Sequence, residues 1–442
     1  MTPSRRELLA WPAFALAAAA CRSHVRVAQR PPAIGIDQQV ALFLASPDVN
    51  GAGLVAVAMG ESGERRWVAW LLDLLRVVGD ADGAVPIMVA LQRLTGEYAL
   101  NDTVVAFATY GAWMVRERPD PGEGYDVWKR TLYRRLDPTY DQLLGGIGDR
   151  LLLADIQWGG VVRGGIPELN RPRRAAATSD DAAFLTADEL VFGVEHGGAA
   201  VAYPERVLGY HELANDVVGG DGLIVSYCPL CRTARAFVAD GRSMQTSGLI
   251  RRSNKLMVDR ATSSLWQQLT GRALTGAATG TVLRGVDVAT RTWSEWRALR
   301  PDTAVVLRPD PSEFPSTSYR YEPGGAYGQY DADPSLWFPV LRPPAGPDPK
   351  ATVATFAAGN QALAIDVGAL ANAGPTVIAL ASKGPVRAVF AVPTASGARL
   401  YDASEAGMPA GADAERLPAL ASDRSTWFAF YGEHPESEWW PP

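Results

Sequence analysis

Residues 191–208 read VFGVEHGGAAVAYPERVL, and residues 353–370 read VATFAAGNQALAIDVGAL. Laid one on the other, each opens on an apolar run, passes a small turn and closes on a second apolar run. In the first, residues 189–203 alternate about Gly197-Gly198, the pattern of a β-hairpin whose turn needs residues free to take positive φ. Two more pairs follow in the same order. Residues 224–238 (IVSYCPLCRTARAFV) lie against 377–391 (VIALASKGPVRAVFA), and 292–303 (TWSEWRALRPDT) against 426–437 (TWFAFYGEHPES). This order predicts an internal duplication, with copy one at about 185–310 and copy two at about 350–442, packed about a pseudo-two-fold axis.

Within copy one, Leu223–Tyr227 reads as a compact apolar strand and Thr233–Val238 as its alternating partner. Cys228-Pro-Leu-Cys231 then sits in the turn between them. Trp293 to Leu299 fits a short helix that ends before Pro301. In copy two, Ala381 and Gly384 fall opposite the cysteines and His211 has no counterpart, so one half keeps the chemical residues.

Upstream the texture is helical. Trp67, Trp70, Leu71, Leu74, Leu75 and Val78 recur at three- and four-residue spacing, one broad apolar helix face. Pro86 opens a second helix that Gly96 stops, and Asp102 is placed to cap a third. The expected fold class is α+β: a small helical N-terminal domain over 37–150, then a β-dominated, internally duplicated body over 151–442.

The first 21 residues, MTPSRRELLAWPAFALAAAAC, place Arg5 and Arg6 ahead of an uncharged run over 8–20. That run is too short to span a bilayer and has the shape of a signal peptide over 1–20. Ala18-Ala19-Ala20-Cys21 resembles a lipoprotein cleavage box, with Cys21 as the lipidated residue and 21–36 as the tether. Ser4-Arg5-Arg6-Glu7-Leu8-Leu9 resembles a twin-arginine export signal. The expected partner is therefore a cell-envelope membrane, reached through the lipid, with the body periplasmic or at the cell surface. A net charge of −6 gives no support to nucleic-acid binding. The helical domain is the expected site for a protein partner.

With Cys21 used in export, Cys228 and Cys231 are the only other cysteines, and three readings compete for them. A tight turn that points two sulfurs one way, with N–H groups aimed at them, is half of a metal knuckle. His211 is the leading third ligand, with Asp216, Glu212 and Met257 behind it, and copper or zinc suits thiolate and imidazole. Such ligand atoms stand roughly 3.3–4 Å apart around one ion. A structural disulfide brings the sulfurs to about 2.05 Å. A redox dithiol exposes at least one sulfur at a helix N-terminus, where the dipole lowers its pKa. The corresponding functions are an exported metal-binding protein or metalloenzyme, a cell-surface interaction module, and a thiol–disulfide redox protein. His196 reads as exposed beside its Gly-Gly turn, His434 as a basic residue at a helix C-terminus, and His24 as part of the tether. The polar run Ser247, Arg251, Arg252, Ser253, Asn254 and Lys255 reads as a solvated loop or the lining of an anion pocket. Trp266 and Gln267 read as core.

Several stretches together resemble a bacterial family catalogued only as a domain of unknown function (family 3179). They include W158-G-G-V, H211-E-L-A-N-D-V-V-G-G, Y227-C-P-L-C, S247-G-L-I-R-R-S-N-K-L-M, S264-L-W-Q-Q-L-T-G, T292-W-S-E-W and L336-W-F-P-V, across about 155–442. The chain departs from that pattern at Arg232, where the resemblance implies glycine, and over 341–350. The resemblance implies a shared fold and no particular activity.

Overall fold

The computed structural model describes residues 35–441 except 80–82, 315–318, 324, 344–346 and 405–416. The signal peptide, Cys21, His24 and most of the tether lie outside the described residues. Two compact units emerge: residues up to Arg163 with Gly248–Arg251 and Ser335–Val340, and the remainder from Gly164 onward.

The first unit is helical, as read. Its elements are α1 (Ile36–Ala45), α2 (Val49–Ser62), α3 (Trp67–Val78), α4 (Ala84–Thr95), α5 (Thr103–Glu117), α6 (Tyr125–Leu136), α7 (Tyr140–Leu144) and α8 (Arg150–Asp155). Trp67, Trp70, Leu71, Leu74 and Leu75 of α3 are buried. Gly96 ends α4 with φ +78°, a conformation glycine adopts without a Cβ penalty. Asp102 accepts the Val104 and Val105 N–H groups at the head of α5, satisfying donors a helix start leaves orphaned. After α8 comes β1 (Ile156–Trp158), which pairs antiparallel with Leu249–Arg251.

The second unit is the β-rich body. Its first half holds β2 (Leu169–Asn170), β3 (Arg174–Ala176), β4 (Leu190–His196), β5 (Ala199–Pro204), α9 (Glu205–His211), β6 (Leu213–Val218), β7 (Asp221–Cys228) and β8 (Thr233–Val238). Then come β9 (Met244–Arg251), β10 (Asn254–Asp259), β11 (Leu265–Gln267), β12 (Gly285–Val286), β13 (Val288–Thr292), α10 (Trp293–Leu299) and β14 (Ala304–Val306). After α11 (Gly328–Ala332), the second half holds β15 (Thr352–Ala358), β16 (Gln361–Asp366), α12 (Val367–Ala373), β17 (Thr376–Ala379), β18 (Ala388–Thr394), β19 (Gly397–Asp402), β20 (Ala419–Leu420), β21 (Asp423–Thr426), α13 (Trp427–Glu433) and β22 (Glu438–Trp440).

The two halves share their strand order. One sheet runs β13-β4-β5-β14-β3 and another β21-β15-β16-β22. In both, the hairpin pair is antiparallel while β14 and β22 run parallel to β5 and β16. The companion sheets run β6-β7-β8-β12 and β17-β18-β19-β20, with β2 added beside β6. Alternation decides which side chains lie between sheets. Phe192, Val194, Val201 and Tyr203 meet Leu223, Val225, Tyr227 and Ala236, and Phe356, Leu363 and Ile365 meet Val389, Ala391 and Leu400. On the far side of β4, Val191 packs with Trp293 and Trp296 of α10.

This order corrects one sequence match. Residues 224–238 against 377–391 set β7 against β17, whereas strand order sets β6 there. A short apolar run fits either strand, and the Gly219-Gly220 turn of one half is replaced by the longer 380–387 loop in the other. The cysteine turn joins β7 to β8, so its topological counterpart is the turn between β18 and β19, not Ala381 and Gly384.

Candidate dithiol site

Cys228 is the last residue of β7, and its backbone pairs with Thr233 at the start of β8. The turn between them closes through Arg232, whose φ of +52° is left-handed. That conformation explains why glycine suits the position. Here Arg232 is held by Asp331, 2.7 Å from its guanidinium, and by the Thr352 hydroxyl at 2.9 Å.

The turn brings the two sulfurs to 2.9 Å, inside van der Waals contact, with both cysteines free and buried. The Ser253 carbonyl faces them, 3.4 Å from the Cys231 sulfur. It points there because Arg252 and Ser253 take φ of +49° and +62° between β9 and β10. The Asn254 amide donates to the Cys231 sulfur at 3.3 Å. Asn254 is itself fixed by Gln268 at 2.9 Å, and Gln268 donates to the Ser226 and Thr233 carbonyls. The run expected as a solvated loop is thus a buried polar shell: Ser247, Ser253, Asn254 and Lys255 are all buried. Lys255 donates to the Glu212 carbonyl at 2.8 Å and lies 3.2 Å from its carboxylate, which also accepts from the Tyr327 hydroxyl at 2.7 Å.

The environment divides the pair. Burial raises any thiol, but hydrogen bonds from the Cys231 thiol and the backbone N–H groups of Lys255 and Cys231 override it at Cys228, whose acidity rises. Cys231 is pushed well above its ordinary value, by burial first and by Cys228 next. The geometry is a thiolate beside a thiol that donates to it.

His211 does not join them. It closes α9 instead of lying on the strand beside the cysteines, and Glu212 turns the chain away with φ +58°. Its Nδ1 meets the Pro167 carbonyl at 2.7 Å and its Nε2 the Tyr321 hydroxyl at 2.8 Å. Both ring nitrogens are engaged, so the Cys228, Cys231, His211 ligand set is not assembled. Burial drives its pKa down to about 4. Asp216 pairs with Arg174 and Tyr203, Glu212 with Lys255, and Met257 sits in an apolar core with Trp266. Among the described residues, no group of three or more His, Cys, Asp or Glu is placed to hold a metal ion. His196 meets Asp221 at 2.7 Å, and His434 follows the last turn of α13.

An α+β chain whose β body buries a Cys-Pro-Leu-Cys dithiol is the class this geometry defines. The family model described as "Protein of unknown function (DUF3179)" matches residues 163–437, and the chain belongs to that family. No curated protein and no solved structure matches it.

Proposed function

We propose that the body is a thiol–disulfide redox protein whose centre is Cys228 and Cys231. The observation that carries this reading is the 2.9 Å sulfur separation combined with opposite displacement of the two acidities. An acidic first thiol and a protonated second one are the electronic requirement of a dithiol couple, met here by a β-turn instead of a helix N-terminus. With a low-molecular-weight disulfide as oxidant, the Cys228 thiolate attacks one sulfur and expels the other as a thiolate. Cys231 then loses its proton and displaces the second thiol, leaving the Cys228–Cys231 disulfide and two reduced thiols. Burial of both sulfurs favours small reactants.

A second reading keeps a metal. The N–H donors of Lys255, Cys231 and Asn254 that converge on the sulfurs would equally support two thiolates on copper(I), a soft ion. One preparation separates the readings: natively exported protein, analysed for copper and zinc and then titrated in glutathione buffers with mass detection of alkylated thiols. A reversible two-proton mass change with negligible metal supports the couple. A pair that stays reduced throughout, or a disulfide that resists reduction until the chain unfolds, overturns it, and stoichiometric copper establishes the second reading.

The N-terminal residues support an exported protein anchored through lipid on Cys21. Metabolic labelling with a fatty acid tests this: Cys21→Ser should lose the label and move to the soluble fraction, and label retained by the variant refutes it. The shared strand order supports descent of the body from one duplicated half.

A further inference from the structure

A small cleft of about 40 Å³ opens in the body between β13, β15, β19 and β21, and β21 also reaches the dithiol turn, where the Thr426 N–H donates to the Cys231 carbonyl at 2.9 Å. Arg291 of β13 and Arg424 of β21 line it, with Thr290 and Ser422 beside them. The Nε of each arginine is buried and has no hydrogen-bond partner among the described residues. Among the described residues, the Arg291 guanidinium donates to the neighbouring Thr290 carbonyl at 3.2 Å. Arg399 follows Ala398, another lining residue, and its charge bears on Arg291.

The counter-charges do not cancel this. Asp423 lines the cleft but is taken by Arg235 at 3.1 Å. Glu295 is occupied at the head of α10, where it accepts the Thr292 N–H at 3.0 Å, and it also accepts the Ala395 N–H at 3.2 Å. Glu205, which accepts the Tyr227 hydroxyl at 2.7 Å, also feels the charge of Arg424. Arg291, Arg399, Arg424 and Arg235 against Asp423, Glu295 and Glu205 still leave positive charge in excess, in a chain whose net charge is −6. Buried N–H donors left unmade are costly, and a guanidinium fork matches an oxyanion. Val288, Val367 and Ala354 supply an apolar wall.

The geometry points to a binding site for a small organic anion, a short carboxylate whose charged end meets Arg291 and Arg424 while its carbon body lies on Val288 and Val367. This proposal does not rest on the cysteine chemistry.

Calorimetry of the mature chain at low salt, with succinate, inorganic phosphate and chloride as probes, tests it. Succinate should bind at one site, chloride should not, and affinity should fall several-fold as salt rises. Arg424→Gln should abolish binding. Because that variant removes a half-buried group, the exposed Arg399→Glu is the safer probe, and should weaken succinate about tenfold without altering the melting temperature. The double variant Cys228→Ser, Cys231→Ser should bind as the wild type does. Phosphate binding in place of succinate would keep the site and reassign its ligand to phosphate. No heat with either oxyanion, or an affinity indifferent to Arg399→Glu, overturns the proposal.

Discussion

The Asn254 side-chain amide donates to the Cys231 sulfur across 3.3 Å, and the same amide donates to Gln268 at 2.9 Å. One side chain therefore anchors the dithiol to the polar shell beneath it. Its carbonyl is also engaged, accepting the Leu269 N–H at 3.2 Å.

Asn254→Ala should act on both stability and chemistry. Left unpaired in the interior, Gln268 and the Leu269 N–H cost about 1–3 kcal/mol. The Cys231 thiolate loses a donor, so its pKa, already raised, should rise further. Thiolate absorbance of the reduced protein against pH, with urea melts alongside, reads both. An unchanged titration would detach Asn254 from the chemistry.

Arg232 makes a sharper test of backbone against side chain. Arg232→Gly should be close to neutral, because relief of the left-handed strain offsets a partly exposed ion pair with Asp331 worth about 0–1 kcal/mol. Arg232→Val loses the same pair and adds β-branching at positive φ, so it should destabilise by roughly 1–3 kcal/mol. Equal melting temperatures for the two variants would contradict this account.

The buried, neutral His211 predicts an acid transition. Its pKa is depressed by burial from an ordinary 6.5 to about 4. The unfolded chain therefore binds the proton first, and His211 contributes stability that is fully present above pH 6.5. That contribution is lost as pH falls toward 4. At about 1.4 kcal/mol per unit, the loss is on the order of 3 kcal/mol. In His211→Gln the urea midpoint should lose most of its slope between pH 6.5 and 4; a slope identical to wild type would assign it to other groups.

What could be read beforehand divides by range. The β7–β8 hairpin and its cysteine turn were legible because alternation and turn residues are local signals. The helices around Trp67 and Asp102 were legible for the same reason. His211 was misplaced because one residue decides it: Glu212 takes a left-handed φ, so the strand after α9 begins past the histidine. The Ser253–Lys255 run looked solvated because its polarity is balanced by Gln268 and Glu212, distant in sequence. Arg291 and Arg424 gave no signal, since β13 and β21 are edge strands of two different sheets and only the packing of those edges brings them to one cleft.

The last expectation concerns the helical unit, where Asp73 and Lys129 form an ion pair with both side chains fully buried, 2.7 Å apart. Burial raises the carboxyl pKa and lowers the amine pKa, each opposed by the other's charge. Tyr125 and Tyr133 donate to the same carboxylate at 2.7 and 3.1 Å, so both of its oxygens are hydrogen-bonded. Removing one partner strands the other charge in the core. Lys129→Met should therefore cost about 3–5 kcal/mol, whereas Asp73→Leu with Lys129→Met should recover much of it, because two apolar groups need no counter-charge. The double variant also frees the Tyr125 hydroxyl, worth about 1–3 kcal/mol when left unsatisfied, so recovery should be incomplete, whereas the Tyr133 hydroxyl keeps Gln157 and the Trp158 N–H. Adding Tyr125→Phe should then bring stability closer to wild type. Denaturant melts of the four chains check the order, and a double variant less stable than Lys129→Met would show that the tyrosine network, not the ion pair, governs this core.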